Sequence, residues 1–492
     1  MKRVLFVGVL LVAGHASAAT LSVAPGQSIQ IAINAARPGD EIVLTAGGSY
    51  TEELSFPEKG GTLPITVRSS QSLPLRRITP SDRALLPSVG SDTVVGARVT
   101  GSHWHFVGLA FRSTLYGQGN IIEVNGDATD VVFDRLLIEG GSTGQRRGIA
   151  LNGRNQTVTR CYIRNMWKTG DESQALAGWN GPGPITITDN YLEASSENIL
   201  FGGADPSSAD RIPSDILVEG NLMTKNLAWK GVPNTYAVKN LFELKNARRV
   251  TVRNNRLEHN WVDAQAGAGI VFTLRNSNGT ASWNVVEDVL FENNVVDDSY
   301  AGFNILGRDD EGGYTANQAT RITIRNNLMT NIQTYAIQIG AEAGSITFDH
   351  NTFFNNGSLL QMYLGTVIRS SGSKTTGAYA VNSLVMTNNL TQYGSYGVIG
   401  CSASIGTATL EACTTSYDFR RNVVAGGSTS AAFPPDTLRP TLAYYLAQFN
   451  PDYTLISTSP YKKAGLDGQD LGVVRQDAVP APRGPSNVTM RR

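Results

Sequence analysis

Short stretches in which apolar and polar residues alternate recur along the chain, and eight of them end in asparagine. The stretches ITITDN, VTVRNN and ITIRNN, which end at Asn190, Asn255 and Asn327, show the pattern clearly. The other five copies end at Asn221, Asn294, Asn351, Asn389 and Asn422. A period of two with β-branched side chains predicts strands, and no helical periodicity separates the copies.

The asparagines are separated by 24 to 39 residues, a spacing typical of a solenoid. Asn tolerates left-handed backbone angles, and its amide can bond to the equivalent Asn one coil away. Weaker copies near Leu109, Leu136 and Tyr162 extend the series to about eleven coils. We therefore predict an all-β fold, a single-stranded right-handed parallel β-helix. The sequence resembles the pectate-lyase-like superfamily over most of its length, and this resemblance implies the fold without fixing an activity.

The first residues have the composition of a secretory signal peptide. Two basic residues precede an apolar run over residues 4–13, and Ala-Ser-Ala follows at 16–18. We predict that residues 1–18 are a signal peptide and that the mature protein is secreted or periplasmic. Export implies an oxidising compartment, so we predict a disulfide between Cys401 and Cys413, which a short Gly/Ser/Thr-rich loop separates.

The open ends of a solenoid need caps, because exposed strand edges promote aggregation. Residues 28–40 predict a short amphipathic helix that Pro38-Gly39 ends, and this helix would cap the first coil. The β-helix with its N-terminal cap is therefore predicted to span residues 19–433. The Pro-rich segment 434–492 predicts an irregular C-terminal cap.

The composition indicates a folded protein without a strong overall charge. The chain has 492 residues with 41 Lys or Arg and 41 Asp or Glu, so the formal net charge is zero. This balance argues against bulk nucleic-acid binding. No apolar run reaches the roughly 20 residues of a membrane span, so we expect a soluble protein without one. We also expect a monomer.

A second strand follows each Asn turn, and these strands are predicted to form the working face. Aligning NLFELKN, from residue 240, with VFTLRN, from residue 271, places Lys245 and Arg275 in one outward column with Glu243 alongside. Insertions before and after these strands predict loops that wall a groove. The loops are residues 166–183, 227–239 and 261–267 before the strand, and residues 203–213, 276–286, 308–319 and 364–379 after it.

Five of the six tryptophans fall in those loops, where aromatic faces could stack on sugar rings. We predict that Trp229, Trp261 and Trp283 contact substrate. The alternative is that each tryptophan anchors its own loop against the coils. The other predicted substrate-binding residues are Lys239, Asn198 and Asn304.

Residues 221–260 contain eight Lys or Arg against two carboxylates, a local excess of six positive charges. A groove of that sign would attract an anionic ligand, and an extended acidic polysaccharide matches an extended groove. The alternative is a solvated basic edge, with the segment from Arg248 to Arg256 pointing away from the groove.

Cleavage of a uronate polymer by β-elimination requires a base for the C5 proton, a cation for the C6 carboxylate and a proton for the departing O4. The segment FELKNARRVTVRNN, followed by VFTLRN, resembles the base-carrying coils of the alginate lyase and chondroitinase B family. This resemblance implies that Lys245 is the base and that Arg275 is the acid or the carboxylate clamp. Together with Glu243 they are the predicted catalytic residues.

The family's calcium ligands are acidic residues just ahead of the lysine, whereas Asn240 and Leu241 stand there in this chain. Calcium therefore stays a possible cofactor, and no other cofactor is predicted. Two alternatives to a lyase also stay open. One is a glycoside hydrolase that uses Glu243 with Asp309 or Asp310. The other is a glycan-binding or surface protein without catalysis.

Overall fold

Three long sheets of parallel strands make up almost all of the protein, which confirms the prediction of a parallel β-helix. The structure is a computed structural model that describes residues 18–315 and 317–474. Each complete coil contributes one strand to each sheet in turn, and every strand pairs with its equivalent in the next coil. The predicted signal peptide, apart from Ala18, and residues 475–492 of the predicted C-terminal cap lie outside the described residues.

Sheet 1 contains the strands that lead into the Asn turns, and it has 14 strands. They are Thr20–Val23, Glu41–Leu44, Ile65–Ser69, Trp104–Val107, Thr129–Asp134, Arg154–Thr159, Ile185–Thr188, Ser214–Glu219, Ala247–Arg253, Val286–Glu292, Ala319–Arg325, Ala343–Asp349, Val381–Thr387 and Thr414–Arg420.

Sheet 2 follows the Asn turns and has 13 strands. They are Ser49–Thr51, Ser88–Gly90, Ala110–Arg112, Leu137–Glu139, Tyr162–Met166, Tyr191–Ala194, Leu222–Thr224, Arg256–Asn260, Val295–Ser299, Leu328–Ile332, Thr352–Asn355, Leu390–Gln392 and Val423–Ala425.

Sheet 3 completes each coil and has 12 strands. They are Leu54–Phe56, Ala97–Val99, Asn120–Val124, Arg147–Leu151, Gln174–Gly178, Glu197–Phe201, Asn240–Leu244, Ala268–Thr273, Ala301–Leu306, Ile337–Gly340, Leu360–Tyr363 and Val398–Gly400. A small antiparallel hairpin, Thr366–Ile368 with Lys374–Thr376, extends from the loop after one of them.

Sheet 3 contains a strand that the sequence analysis assigned to a loop. Gln174–Gly178 is a strand of sheet 3 between Arg147–Leu151 and Glu197–Phe201. Its sequence, QALAG, has no β-branched residue and no regular alternation, so its strand character comes from pairing with both neighbouring coils. The predicted loop 166–183 is therefore two shorter loops, and the sheets hold 12 to 14 strands where about eleven coils were expected.

The core is a continuous column of inward-facing aliphatic and aromatic side chains between the three sheets. Phe242, Phe272 and Phe303 follow one another on successive coils of sheet 3, with ring centroids 6.3 Å apart at each step. All three rings are fully buried. Burying a large apolar side chain stabilises the fold by roughly 1.5–3 kcal/mol, and the stacked column repeats this contribution coil after coil.

The predicted asparagine ladder is confirmed at every step from Asn190 to Asn422. The Oδ1 of Asn221 accepts hydrogen bonds from the backbone N–H and the Nδ2 of Asn190, both at 2.9 Å. The Nδ2 of Asn221 also donates to the carbonyl of Ile187 in the coil before. Cys161 occupies the ladder position one coil earlier, where its N–H donates to Asn190. Each ladder amide therefore satisfies buried backbone groups on both sides.

The left-handed residue of each turn is the one before the ladder asparagine, which corrects the expected position. Asn254, for example, has φ 57° and His350 has φ 52°. Asn, Asp or Gly fills most of these positions because they tolerate this conformation best. The ladder asparagine itself is thus chosen for its side-chain hydrogen bonds.

Short helices pack at both ends of the β-helix. The helix Ile29–Ala35 begins at Ser28, whose Oγ accepts from the N–H of Ile31, and it buries Ile29 and Ile33 in the core. Other helical segments are the α-helices Thr407–Cys413 and Leu442–Leu446 and the 3₁₀ turns Pro80–Leu85, Leu115–Gly117, Ala209–Arg211 and Leu227–Trp229. Within residues 18–315 and 317–474, no helix is long and apolar enough to cross a membrane.

The predicted disulfide between Cys401 and Cys413 is present and ties a loop to the helix Thr407–Cys413. Cys161 is a buried free thiol, and burial raises its pKa to about 12. Farther along, residues 466–474 return along the Asn turns, where the N–H of Leu466 donates to Asn388. This return contact covers the side of the last coils.

Candidate active site

Loops leave the coils at both edges of sheet 3, as predicted. The loops 202–213, 274–285 and 307–318 follow its strands, and neighbouring loops contact one another. The carboxylate of Asp205 accepts from the backbone N–H groups of Asn278 and Thr280 at 3.0 Å. The loops 167–173, 225–239 and 261–267 precede its strands and form the opposite wall. The outer face of sheet 3 is therefore the floor of the candidate site.

The coil register on this floor differs from the sequence alignment by two residues at one strand. In the structure, Glu243 pairs with Val271, and Val271 pairs with Asn304. The sequence alignment had instead placed Thr273 in the column between Glu243 and Asn304. Past the end of the strand, the N–H of Arg275 donates to the carbonyl of Lys245 at 3.0 Å. Lys245 and Arg275 therefore lie on adjacent coils, as predicted, although the strands before them are shifted.

Lys245 and Glu243 form a pair on the floor. The Nζ of Lys245 lies 3.7 Å from Oε1 of Glu243, and the two side chains are 18% and 2% exposed. Residues two apart on a strand point to the same face, which explains their proximity. Thr273 on the next coil also points its Oγ1 at Glu243, at 3.5 Å. The lysine is thus accessible from the groove while its partner is covered.

Burial raises the pKa of Glu243 to about 7, although Lys245 opposes this effect. The neighbouring carboxylate of Glu197 adds to the rise. The Oε2 of Glu243 has no hydrogen-bond partner among the described residues. A carboxyl group in this state can exchange a proton near neutral pH.

The guanidinium of Arg275 turns to an acidic loop instead of stacking on Lys245. It is paired with Asp309 at 3.2 Å, with Asp310 by a closer contact and with Glu311 at 3.6 Å. Burial acts to lower the pKa of Arg275, but these carboxylates raise it overall. Arg275 therefore keeps its proton, which suits a clamp for a carboxylate better than a proton donor.

Asp309 and Asp310, the predicted partners of Glu243 in a hydrolase, are both engaged by other groups. Asp309 is buried and accepts from the N–H groups of Asn276, Glu311 and Gly312, so it organises its own loop. Asp310 is paired with Arg275. These contacts hold both aspartates in the loop that follows the strand Ala301–Leu306.

A polar network at the entering edge of sheet 3 was missed by the sequence analysis. Arg147 bonds to Asn120 at 2.8 Å and to Gln174 at 3.0 Å. Gln174 then donates to Glu197 at 2.8 Å. These residues are the first of their strands and pair in register from coil to coil. The signal was present in the first letters of the aligned strands, which the sequence analysis did not sort into a column.

Lys239 extends this network toward the groove. Its Nζ is bonded to Glu172 and lies 3.6 Å from Oε1 of Glu197. Glu197 is fully buried, so its charge needs a partner. Lys239 was predicted to contact substrate, and the structure places it at the groove wall beside these two carboxylates.

The residues near Lys239 do not suit calcium. Calcium takes six to eight oxygen ligands, usually with several carboxylates. Across residues 18–315 and 317–474, no group of three or more His, Cys, Asp or Glu could hold a metal ion. The ammonium of Lys239 also lies against the carboxylates that such an ion would need.

The tryptophan prediction is corrected by the packing of the loops. Trp229 and Trp261 are buried in one cluster with Val238, and Trp167 and Tyr236 pack against it. The rings therefore anchor the wall before sheet 3, as the alternative proposed, and do not offer free faces for sugar stacking. Trp283 is half-buried in the opposite wall, where its carbonyl accepts from Asn317.

Asn198 is not a groove residue. It lies inside the coil, where its Nδ2 donates to the carbonyls of Leu192 and Thr224 and its Oδ1 accepts from Lys225. Burial lowers the pKa of this enclosed lysine to about 7. Asn304 does face the groove, and its Oδ1 has no hydrogen-bond partner among the described residues.

The basic segment 221–260 does not form one positive surface. Lys225 lies in the interior, and three of the arginines lie on sheets 1 and 2, where carboxylates of adjacent coils or the same strand neutralise them. The pairs are Arg249 with Asp215, Arg253 with Glu219, and Arg256 with Glu258 and Asp297. The positive charge at the groove is therefore smaller than predicted. Of the basic residues in this segment, Lys239 and Lys245 lie beside the carboxylates of the candidate site.

Comparison with solved structures supports the fold. The chain is similar to a PL6 family alginate lyase, AlyGC, with 17% sequence identity and a TM-score of 0.58 over 94% of this chain and 60% of that chain. A mutant of the same lyase gives 16% identity and a TM-score of 0.55, over 96% of this chain and 60% of that one. The pectate lyase Pel9A gives 15% identity and a TM-score of 0.43, over 94% of this chain and 98% of that chain.

This chain thus spans about three fifths of the length of the alginate lyase that it matches. The sequence matches no protein-family model and no curated protein. At these identities the similarity shows a parallel β-helix and no more.

Proposed function

We propose that this protein binds an acidic polysaccharide in the groove over sheet 3 and cleaves it by β-elimination, with Lys245 as the base. The observation that carries the proposal is the pair of Lys245 with buried Glu243 on the groove floor, beside Arg275 of the next coil. Lys245 is the more exposed member of this pair, so its amine is the group that can meet a substrate in the groove.

The proposed reaction assigns one step to each group. Unprotonated Lys245 takes the C5 proton, the C5–H electron pair forms the C4=C5 bond, and the C4–O4 bond breaks. The departing O4 takes up a proton, which the newly protonated Lys245 can supply from the same face. Arg275, which stays charged, holds the C6 carboxylate and stabilises the negative charge that develops at C5.

Glu243 acts through Lys245 in this scheme. Its side chain is almost fully covered, so it is a positioning residue that contacts the base and not the substrate. Since its pKa is about 7, it can accept or return a proton as Lys245 changes state. This role replaces the direct catalytic role predicted from the sequence.

The substrate class rests on two supports. AlyGC is described as an alginate lyase, and we extend that class, an acidic polysaccharide, to this chain as part of the proposal. The predicted signal peptide agrees with a polymer met outside the cytoplasm. Lys239 and Asn304 are proposed to contact the chain of sugars on either side of Lys245.

A screen of purified acidic polysaccharides tests the proposal. Elimination leaves a C4=C5 double bond conjugated to the carboxylate, so each cleavage adds ultraviolet absorbance. We expect one or more uronate polymers to give that absorbance together with new reducing ends. New reducing ends without absorbance would indicate a hydrolase. Binding without either signal, across all polymers, would indicate a glycan-binding protein.

A further inference from the structure

Three buried side-chain oxygens on two neighbouring strands of sheet 3 have no hydrogen-bond partner within residues 18–315 and 317–474. They belong to Glu197, Asn240 and Glu243, and each residue is no more than 1% exposed. Glu197 pairs in register with Asn240, and Glu243 lies on the same strand as Asn240. Buried carboxylate oxygens need a cation or a donor, so something positive must serve this group.

The protein supplies that positive charge from its own chain. Lys239, the residue before Asn240, is bonded to Glu172 and lies 3.6 Å from the unbonded oxygen of Glu197. Burial acts to lower the pKa of Lys239, but Glu197, Glu172 and Glu243 raise it overall. The lysine is therefore held as an ammonium ion.

We infer that the Lys239 ammonium takes the place of a divalent cation in this groove, so that the site is built to work without metal. The inference rests on the proposed function for its substrate, a uronate whose carboxylate needs neutralising. An ammonium has three donors. One of them is bonded to Glu172, and Glu197 lies at ion-pair distance, so N–H donors remain for a substrate carboxylate.

The first arm of the test uses the parent protein with calcium and with a chelator. We expect neither 5 mM calcium chloride nor EDTA to change the apparent Tm or the rate of product formation. A fall in Tm or rate in EDTA that calcium restores would overturn the inference, because it would show a resident metal. The Tm measurement applies even if no polysaccharide is cleaved, so this arm can fail independently of the proposed function.

The second arm uses Lys239→Ala, with Lys230→Ala from the same loop as the matched control. Lys230 is exposed and lies 5.7 Å from the Trp261 ring, outside the carboxylate network. We expect K239A, but not K230A, to have a lower Tm than the parent and a turnover reduced at least about tenfold. Propylammonium should restore part of both, whereas tetramethylammonium, which has the charge but no N–H donors, should not.

Equal Tm and turnover for K239A and the parent would contradict the inference. So would recovery of K239A by calcium but not by propylammonium, since the group would then prefer a metal. If K239A does not fold, Lys239→Gln supplies a neutral variant that keeps a long side chain with N–H donors. Parent-like behaviour of that variant would equally contradict a need for positive charge.

Discussion

Glu243 is buried beside a lysine, and the balance between burial and that lysine decides its protonation. Burial disfavours the carboxylate, the Lys245 ammonium favours it, and the resulting pKa is about 7. The pair therefore changes its total charge close to neutral pH.

The pKa of Glu243 predicts how Glu243→Gln changes stability with pH. The folded pKa of about 7 lies above the ordinary value of about 4.3, so the folded state binds more protons between these values. The parent therefore loses stability as pH rises from about 4.5 to 7, and E243Q does not. The free energy of unfolding of E243Q minus that of the parent should rise over this window, by at most about 3 kcal/mol.

Denaturant unfolding at pH 4, 5.5, 7 and 8 measures this difference. Glu123→Gln, the same change at a more exposed carboxyl in the same outward column, is the control. A difference that falls with rising pH would show that the folded protein prefers the ionised form of Glu243.

At the residue scale, sequence reasoning found the pair but not the direction of every side chain. Lys245 directly follows the strand Asn240–Leu244 and lies two residues after Glu243, so alternation alone places the two side chains together. Arg275 turns toward Asp309 and Asp310, which lie 34 and 35 residues farther along the chain, and no local pattern reports that contact. Asn198 was likewise assigned to the groove. In-out alternation along the strand Glu197–Phe201 predicts that it faces outward, but at the start of this strand the side chain is buried inside the coil.

At the scale of elements, the asparagine ladder joins the coils through bonds that no strand provides. Asn255 accepts two bonds from Asn221 and donates to the carbonyls of Val218 and Arg253. Its backbone N–H and its Nδ2 also donate to the Oδ1 of Asn294. An interior ladder residue therefore serves buried groups on three coils.

Asn255→Ala should destabilise the protein by about 2–5 kcal/mol, because several buried polar groups lose their partners. Asn422→Ala is the matched control. Asn422 ends the ladder, accepts from Asn389 and donates only to the carbonyl of Met386 within the described ladder contacts. Equilibrium unfolding in urea should show the larger loss for N255A, and equal losses would mean that the ladder carries no extra stabilisation.

Elements were predictable where the repeat is regular. The strands that end in a ladder Asn share apolar-polar alternation and the Asn itself. Their motif can therefore be recognised even though the loops between the copies vary in length. QALAG lacks both features and was missed, and the strand Ala268–Thr273 was aligned two residues late because several apolar residues in a row fit either register. Pairing with neighbouring coils, which a single segment does not encode, decides both cases.

At the scale of the whole molecule, the fold follows from stacking identical units. Each coil buries its inward residues only against the coils above and below, so one motif repeated along the chain is enough to define the β-helix. The loops instead depend on contacts between distant segments, as Trp229 and Trp261 show by burying their rings in one wall. For that reason the sequence predicted where the groove lies, but not which side chains line it.

Polysaccharide elimination at Lys245 is the central claim, and the initial rate of unsaturated product from Lys245→Ala tests it most directly. Loss of a general base should lower turnover by about 10²–10⁴-fold, while the variant keeps its fold and part of its affinity for the polymer. Lys462→Ala, at a lysine paired with Asp470 in the C-terminal segment, should keep the parent's rate. Unchanged turnover in K245A, on a polymer that the parent cleaves, would contradict the account.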